Sequence, residues 1–180
     1  MSLLRRLGVV ALLAWGALQA TAATPTEYQV KAVFLYNFSQ FVEWPTVAFQ
    51  DERAPFIIGV LGEDPFGADL DAIVRDETVA DHPLVVRRYG DAAEIDSCHI
   101  LFISSSETAR VEQVLATLKG RNILTVGDTE NFSRLGGIIR FVTERNRIRL
   151  RISLNAAVAE QLTISSKLLR LAEIVPAGGS

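Results

Sequence analysis

Three arginines at alternate positions, Arg147, Arg149 and Arg151, form the most regular run of charge in the chain. On an extended strand this spacing sends all three side chains to one face, about 7 Å apart between neighbours. Guanidinium groups arranged in this way have two uses. One is a basic patch for an acidic protein segment, an anionic ligand or a membrane surface. The other is a solvated sheet face whose charges are met by carboxylates on a neighbouring strand or the last helix.

Other chemistry is harder to assemble. The two histidines, His82 and His99, have no metal-ligand spacing with the single cysteine, Cys98, beyond simple adjacency. Cys98 and His99 are neighbours on an expected strand, so their side chains point to opposite faces and do not make a nucleophile–base pair. A thiol directly ahead of an apolar strand is expected to be buried and inert, and a lone cysteine makes no internal disulfide. Ser104, Ser105 and Ser106 lack a Gly-x-Ser-x-Gly elbow and read as a helix cap. The glycines of Gly59-Val-Leu-Gly62-Glu-Asp-Pro-Phe-Gly67 fit neither the dinucleotide fingerprint nor the P-loop, and read as a tight turn with close helix packing. No catalytic, metal or cofactor-binding set emerges, so the chain is not expected to be an enzyme.

The elements that would position these residues follow from hydrophobic periodicity. Around Glu27 to Pro45, the residues Val30, Phe34, Leu35, Phe38, Phe41 and Val42 share one helical face. Gln29, Ser39, Gln40 and Glu43 fall on the other. Lys31 lies inside the apolar stripe, four residues after Glu27 in the favourable order for an ion pair. Thr26 is the expected N-cap and Pro45 the expected stop. Tyr36 and Trp44 lie off the stripe and are candidates for a contact surface, against the alternative that these aromatics simply dock the helix on a core.

Near-continuous apolar runs at Phe56–Leu61, Leu84–Tyr89, Ile100–Ile103 and Ile123–Val126 read as buried parallel strands. A helix is expected from Pro65 to about Val74 behind Asp64. Another is expected from Glu107 to Leu118 behind a Ser104–Glu107 capping box, burying Val111, Val114, Leu115 and Leu118. This alternation predicts an α/β domain with a mostly parallel central sheet flanked by helices. Ile138 to Val142, a turn at Glu144-Arg145-Asn146, and Ile148, Leu150 and Ile152 alternating with the arginines predict a C-terminal antiparallel hairpin. A final helix is expected from Leu154 to Leu171, with an interruption near Thr163-Ile164-Ser165. The carboxyl edge of such a sheet would carry Gly62, Asp64, Ser105 and Asp128, a candidate ligand cleft by fold-level analogy.

Residues 1–22 read as a cleavable signal peptide: Arg5 and Arg6, an uncharged apolar run from Leu7 to Leu18, and Ala20-Thr21-Ala22 as the cleavage site. The run is too short for an ordinary membrane span. Export to the periplasm is the expectation, with a single domain over residues 23–175 and a loose tail over 176–180. The 180-residue chain carries a net charge of −3, which becomes more negative once Arg5 and Arg6 are removed. That balance argues against nucleic acid as the main partner.

With these elements in order, the chain resembles the YfiR family of periplasmic regulators. The resemblance runs from about Tyr28 to Ile174. It rests on Tyr28-Gln-Val-Lys-Ala-Val-Phe-Leu-Tyr-Asn-Phe with Phe41-Val-Glu-Trp-Pro45, and on Gly59-Val-Leu-Gly-Glu-Asp-Pro-Phe-Gly67. It also rests on Cys98-His-Ile-Leu-Phe-Ile-Ser104, Ile123-Leu-Thr-Val126, Gly136-Gly137 and Ile164-Ser-Ser-Lys-Leu-Leu169. The resemblance implies a compact α/β domain that often dimerises. It also implies inhibition of an inner-membrane diguanylate cyclase through that enzyme's periplasmic part, and sequestration by an OmpA-like outer-membrane lipoprotein. Cyclic-diguanylate signalling, biofilm formation and exopolysaccharide control are the implied outputs. Members with disulfides use more cysteines than this chain has, so redox locking of the fold does not carry over. The alternative is a periplasmic small-molecule-binding module without catalysis.

Overall fold

Thr26 opens the first helix. The structure is a computed structural model that describes residues 25–176, so the expected leader and residues 177–180 of the tail lie outside it. Helix α1 (Glu27–Phe41) starts on a full capping box: the Thr26 hydroxyl accepts from the Gln29 N–H at 3.2 Å, and the Gln29 side chain accepts from the Thr26 N–H at 2.8 Å. Its inner face buries Ala32, Leu35 and Phe38 completely, with Phe34 and Phe41 packed at the margin. Ser39, placed on the polar face by the sequence, is buried instead. Its hydroxyl donates to the Tyr36 carbonyl at 2.6 Å, so no polar group is stranded. The helix ends before Pro45, because Val42–Glu43 become a short extended strand, β1, paired antiparallel with Thr163–Ile164.

The main sheet is built on β2 (Phe56–Leu61), β4 (His82–Tyr89), β5 (Ile100–Ile103), β6 (Leu124–Gly127) and β7 (Ile139–Glu144), all parallel. Every residue of β2, β5 and β6 is buried, as expected of strands covered on both faces. Strand β8 (Arg147–Ser153) returns antiparallel to β7 through Arg145 and Asn146, both left-handed at φ 49° and 58°. Two further strands extend the edges: β3 (Thr78–Val79), antiparallel to β4, and β10 (Ala172–Val175), parallel to β8. The order is β10-β8-β7-β6-β5-β2-β4-β3. The α/β class, the mostly parallel sheet and the C-terminal hairpin all match the expectation.

Three boundaries differ for local reasons. Helix α2 (Ala68–Val74) begins later than Pro65, because Asp64 Oδ1 accepts the Phe66 N–H in a turn and Gly67 reverses the chain at φ 53°. Helix α3 (Val111–Leu118) is preceded by a 3₁₀ stretch over Ser105–Arg110. Ser104 caps that stretch, but Glu107 turns to Arg110 at 2.6 Å instead of closing a capping box. The expected last helix is broken into α4 (Leu154–Ala159), β9 (Thr163–Ile164), α5 (Ser166–Leu169) and β10. Gln161 takes φ 57° and ends the helical path, and pairing of β9 with β1 outweighs local helix propensity.

The sheet has apolar cores on both sides. Helices α1 and α2 cover one, around Phe38, Phe66, Phe102 and Phe141. Helix α3 covers the other, packing Val111, Val114, Leu115 and Leu118 on Ile57, Leu61, Leu101 and Ile103. This second layer stops at β6.

Candidate functional site

Beyond β6, the side of the sheet that carries α3 emerges toward solvent over β7, β8 and β10. Arg147 and Arg149 are exposed there, and Arg140, Val142 and Arg151 are half-buried. The opposite faces of the same strands bury Ile139, Phe141, Leu150 and Ile152. Strict alternation therefore holds the arginines outward, as their spacing predicts. Two of the three charges are met: Arg149 Nε lies 3.2 Å from Glu144 on β7, and Arg151 Nε lies 2.8 Å from Glu173 on β10. Both pairs are substantially exposed, so each contributes only about 0–1 kcal/mol.

Arg140 joins this face and was not singled out by its sequence. It sits directly across from Arg151 in the β7–β8 register. Like charges placed opposite one another on a sheet are unfavourable. Glu173 offsets the Arg151 side only. Arg140 Nε is buried without a hydrogen-bond partner. Burial first, and the neighbouring Arg151 charge second, pull the Arg140 pKa down. The signal was present in the alternation of Ile139, Arg140 and Phe141, but a lone arginine in an apolar strand gives no charge run to notice.

The loop over residues 128–137 completes the face. Phe132 is fully buried with opposite edges of its ring against Gly127 and Gly137, where a Cβ on either glycine would overlap the ring. These glycines serve close approach rather than a special backbone angle. The plug brings Ser133 and Arg134 to Arg140 and Arg151 around a cavity of about 320 Å³, with Glu130 and Glu173 also at its wall. The Ser133 hydroxyl is likewise buried without a partner.

The other candidates lie elsewhere. Tyr36 and Trp44 are on the opposite side of the sheet, in the α1 layer, so they do not join the arginines. The Tyr36 hydroxyl donates to Glu77 at 2.8 Å. Trp44 packs edge-on to Phe56 at 4.9 Å, and its indole N–H donates to the His99 carbonyl at 3.2 Å. Gly62, Asp64, Ser105 and Asp128 do follow the carboxyl ends of the strands, and their neighbours engage them. The open side of Gly62, at φ 87°, is filled by Ser106 and Glu107. The Ser106 hydroxyl accepts the Glu63 N–H at 2.9 Å. Asp64 accepts Arg88 Nε at 2.8 Å, and the Ser105 carbonyl accepts the Thr108 hydroxyl at 2.6 Å. Asp128 accepts Lys31 Nζ at 2.7 Å and the Tyr28 hydroxyl at 3.1 Å.

Cys98 is buried as expected; it donates to the Ile100 carbonyl at 3.1 Å, and burial pushes its thiol up to about 12. His99 is turned to the other core, where Phe56 stacks on it at 4.6 Å. Its Nδ1 accepts the Ile57 N–H at 3.0 Å, so the imidazole is the neutral tautomer with its proton on Nε2. Burial pushes its pKa down to about 4.

The structure is thus an α/β domain whose arginine half-face over β7, β8 and β10 is left without a covering helix. The chain belongs to the YfiR/HmsC-like family, whose match spans residues 28–173. No curated protein matches it. Among solved structures, a conserved domain protein from Vibrio cholerae O1 biovar eltor str. N16961 is similar with a TM-score of 0.51 and 12% identity, covering 83% of this chain and 60% of that one. The ABC domain in complex with L-Trp from Streptococcus pneumonia gives 0.49 and 11% identity, covering 67% of this chain and 55% of that one. This chain thus spans less than two thirds of either structure. At these identities the first shares the α/β fold and nothing finer follows.

Proposed function

We propose that this chain is an exported regulatory binding protein that restrains an inner-membrane signalling enzyme by docking on its periplasmic part. Cyclic-diguanylate level, and with it biofilm or exopolysaccharide output, is the quantity it controls. The observation that carries this reading is membership of the YfiR/HmsC-like family over nearly the whole described chain. The uncovered face supports a docking mode. Arg147 and Arg149 stand exposed on a chain of net charge −3, so an acidic partner surface is steered to this patch. The regulator acts by occupancy, without catalysis. An OmpA-like outer-membrane lipoprotein is the proposed second partner, competing for the same regulator, and a homodimer is its proposed assembly. Cleavage after Ala22 would place the mature chain in the periplasm, and mass spectrometry of a periplasmic extract should find it beginning at Ala23.

The test is capture from solubilised inner membranes, followed by kinetics on the captured enzyme. Replacing Arg147, Arg149 and Arg151 together with Gln should leave melting nearly unchanged, slow association and flatten its salt dependence. A normally folded triple variant with unchanged rate and salt dependence would remove this face from the docking surface. Capture of no membrane signalling enzyme by the wild-type chain would defeat the reading itself.

A further inference from the structure

The arginine half-face contains a second feature, independent of any protein partner. Arg134, Arg140 and Arg151 converge with Ser133 on the cavity of about 320 Å³ behind the 128–137 loop. Opposing Glu130 and Glu173 leave the wall with an excess of positive charge, since three guanidinium groups face two carboxylates. Glu173 is already engaged by Arg151 Nε at 2.8 Å. What remains is an arginine whose Nε has no partner, a serine hydroxyl with no partner, and two guanidinium groups set opposite each other across a strand pair.

Each of these is unfavourable alone. An unmatched buried donor costs about 1–3 kcal/mol, and more when it is charged. Like charges directly opposite on a sheet add to the cost. A single anion held between the guanidinium groups would offset the last of these, the repulsion of Arg140 and Arg151. The donor set also discriminates among anions. Two or three guanidinium forks offer more N–H groups than one carboxylate can accept. A phosphoryl group has three strong acceptor oxygens and matches arginine forks in bidentate geometry.

We propose that the cavity bounded by Ser133, Arg134, Arg140 and Arg151 is a binding site for a phosphoryl group, carried either by free phosphate or by a small phosphomonoester. Arg140 provides the central contact through the terminal nitrogens of its guanidinium, at the cavity wall. Arg134 closes the group from the exposed side of the loop. Arg151 contributes its terminal nitrogens while Glu173 holds its Nε. The Phe132 plug fixes the loop so that these donors are positioned before the ligand arrives. This site does not rest on the proposed regulatory role, because its ligand is small and Arg134 and Arg140 are not needed for the outer patch.

The experiment is calorimetric titration of the full chain with inorganic phosphate and, separately, with glycerol 3-phosphate, at ionic strength held constant with sodium chloride. Saturable binding of at least one probe is expected, accompanied by a rise in melting temperature that chloride does not give. Binding of glycerol 3-phosphate, with or without phosphate, assigns a phosphomonoester site; binding of phosphate alone assigns a free-ion site. Arg140→Gln should raise Kd at least about tenfold, the loss of one charge-assisted contact. Arg140→Lys keeps the charge but not the fork and should restore only part of the affinity. If Arg140→Gln fails to fold, Arg134→Gln, at an exposed loop position, must show the loss. Wild-type chain that gives no saturable heat with either probe overturns the proposal. So does undiminished affinity in a folded Arg140→Gln or, failing that, in Arg134→Gln.

Discussion

Lys31 Nζ lies 2.7 Å from Asp128 Oδ2, and this contact ties the buried face of α1 to the carboxyl end of β6. The lysine is only 2% exposed, and its ammonium is also 2.6 Å from Glu27 and 4.4 Å from the centre of the Tyr28 ring. Burial on its own would lower the Lys31 pKa, but hydrogen bonds to Asp128 and Glu27 outweigh it and the net shift is upward. The ammonium therefore stays charged inside the protein. Asp128→Ala should cost about 1–3 kcal/mol, since the buried ammonium loses one of its two carboxylates and keeps only the half-exposed Glu27. Lys31→Met combined with Asp128→Leu should recover much of the loss, because no charge is then stranded. Urea denaturation of the two variants tests this. A single variant within about 1 kcal/mol of wild type would show that the pair is not structural.

Phe38 marks the centre of the α1 face. It has no exposure and stacks on Phe141 with ring centroids 6.0 Å apart. Phe38→Ala should destabilise by about 3–5 kcal/mol through lost burial and the cavity left behind. A melting temperature unchanged from wild type would show that α1 does not pack as described.

This helix also shows what a sequence discloses and what it withholds. Leu35 and Phe38 announce their burial by spacing, because apolar side chains have one favourable destination. Ser39 and Lys31 do not, because a polar residue enters a core only when a distant partner or a local carbonyl receives it. Asp128, 97 positions away from Lys31, is invisible to periodicity. The arginine face divides in the same way. Arg147, Arg149 and Arg151 are legible from alternation within one strand, but Arg140 joins them only through the β7–β8 register. The strand β10 was hidden because its pairing to β8 is a long-range contact across a segment with helical composition.

His99 gives a prediction about pH. Burial is the main cause of its fall to about 4; the Ala48 carbonyl opposes the fall, and His82 adds slightly to it. An unfolded chain takes up this proton near pH 6.5. The folded chain does so only near pH 4. Between those values the unfolded state binds more protons, so stability is complete above about pH 6.5 and declines as pH falls. The slope from this group is at most about 1.4 kcal/mol per pH unit. Glu27, Asp71 and Asp91, whose pKa values are lowered in the folded state, lose their contributions only at more acid pH. His99→Asn places an amide oxygen at the Nδ1 position, so it retains an acceptor for the Ile57 N–H, and removes the titration. Its stability should be nearly flat between pH 6.5 and 5, measured by chemical denaturation at each pH. An unchanged slope would assign the acid sensitivity to other groups.

The Phe132 plug carries the last prediction. Its ring has no exposure and lies against Gly127 and Gly137, at the two ends of the loop that follows β6. That loop has work on both sides of the sheet: Asp128 receives Lys31 on one, and Ser133 and Arg134 reach the arginine cavity on the other. Two variants separate the plug's contribution from simple loss of apolar area. Gly137→Ala adds one methyl group that collides with the ring and should cost about 1–3 kcal/mol through overpacking. Phe132→Ala removes the ring and should cost about 3–5 kcal/mol. In the double variant the added methyl no longer collides, so its cost should be less than the sum of the two. Amide hydrogen exchange over residues 128–137 should accelerate in both single variants before the rest of the sheet responds, because the loop is held by this one side chain more than by strand pairing. Additive costs with unchanged exchange in the loop would mean that the ring and the two glycines are merely neighbours.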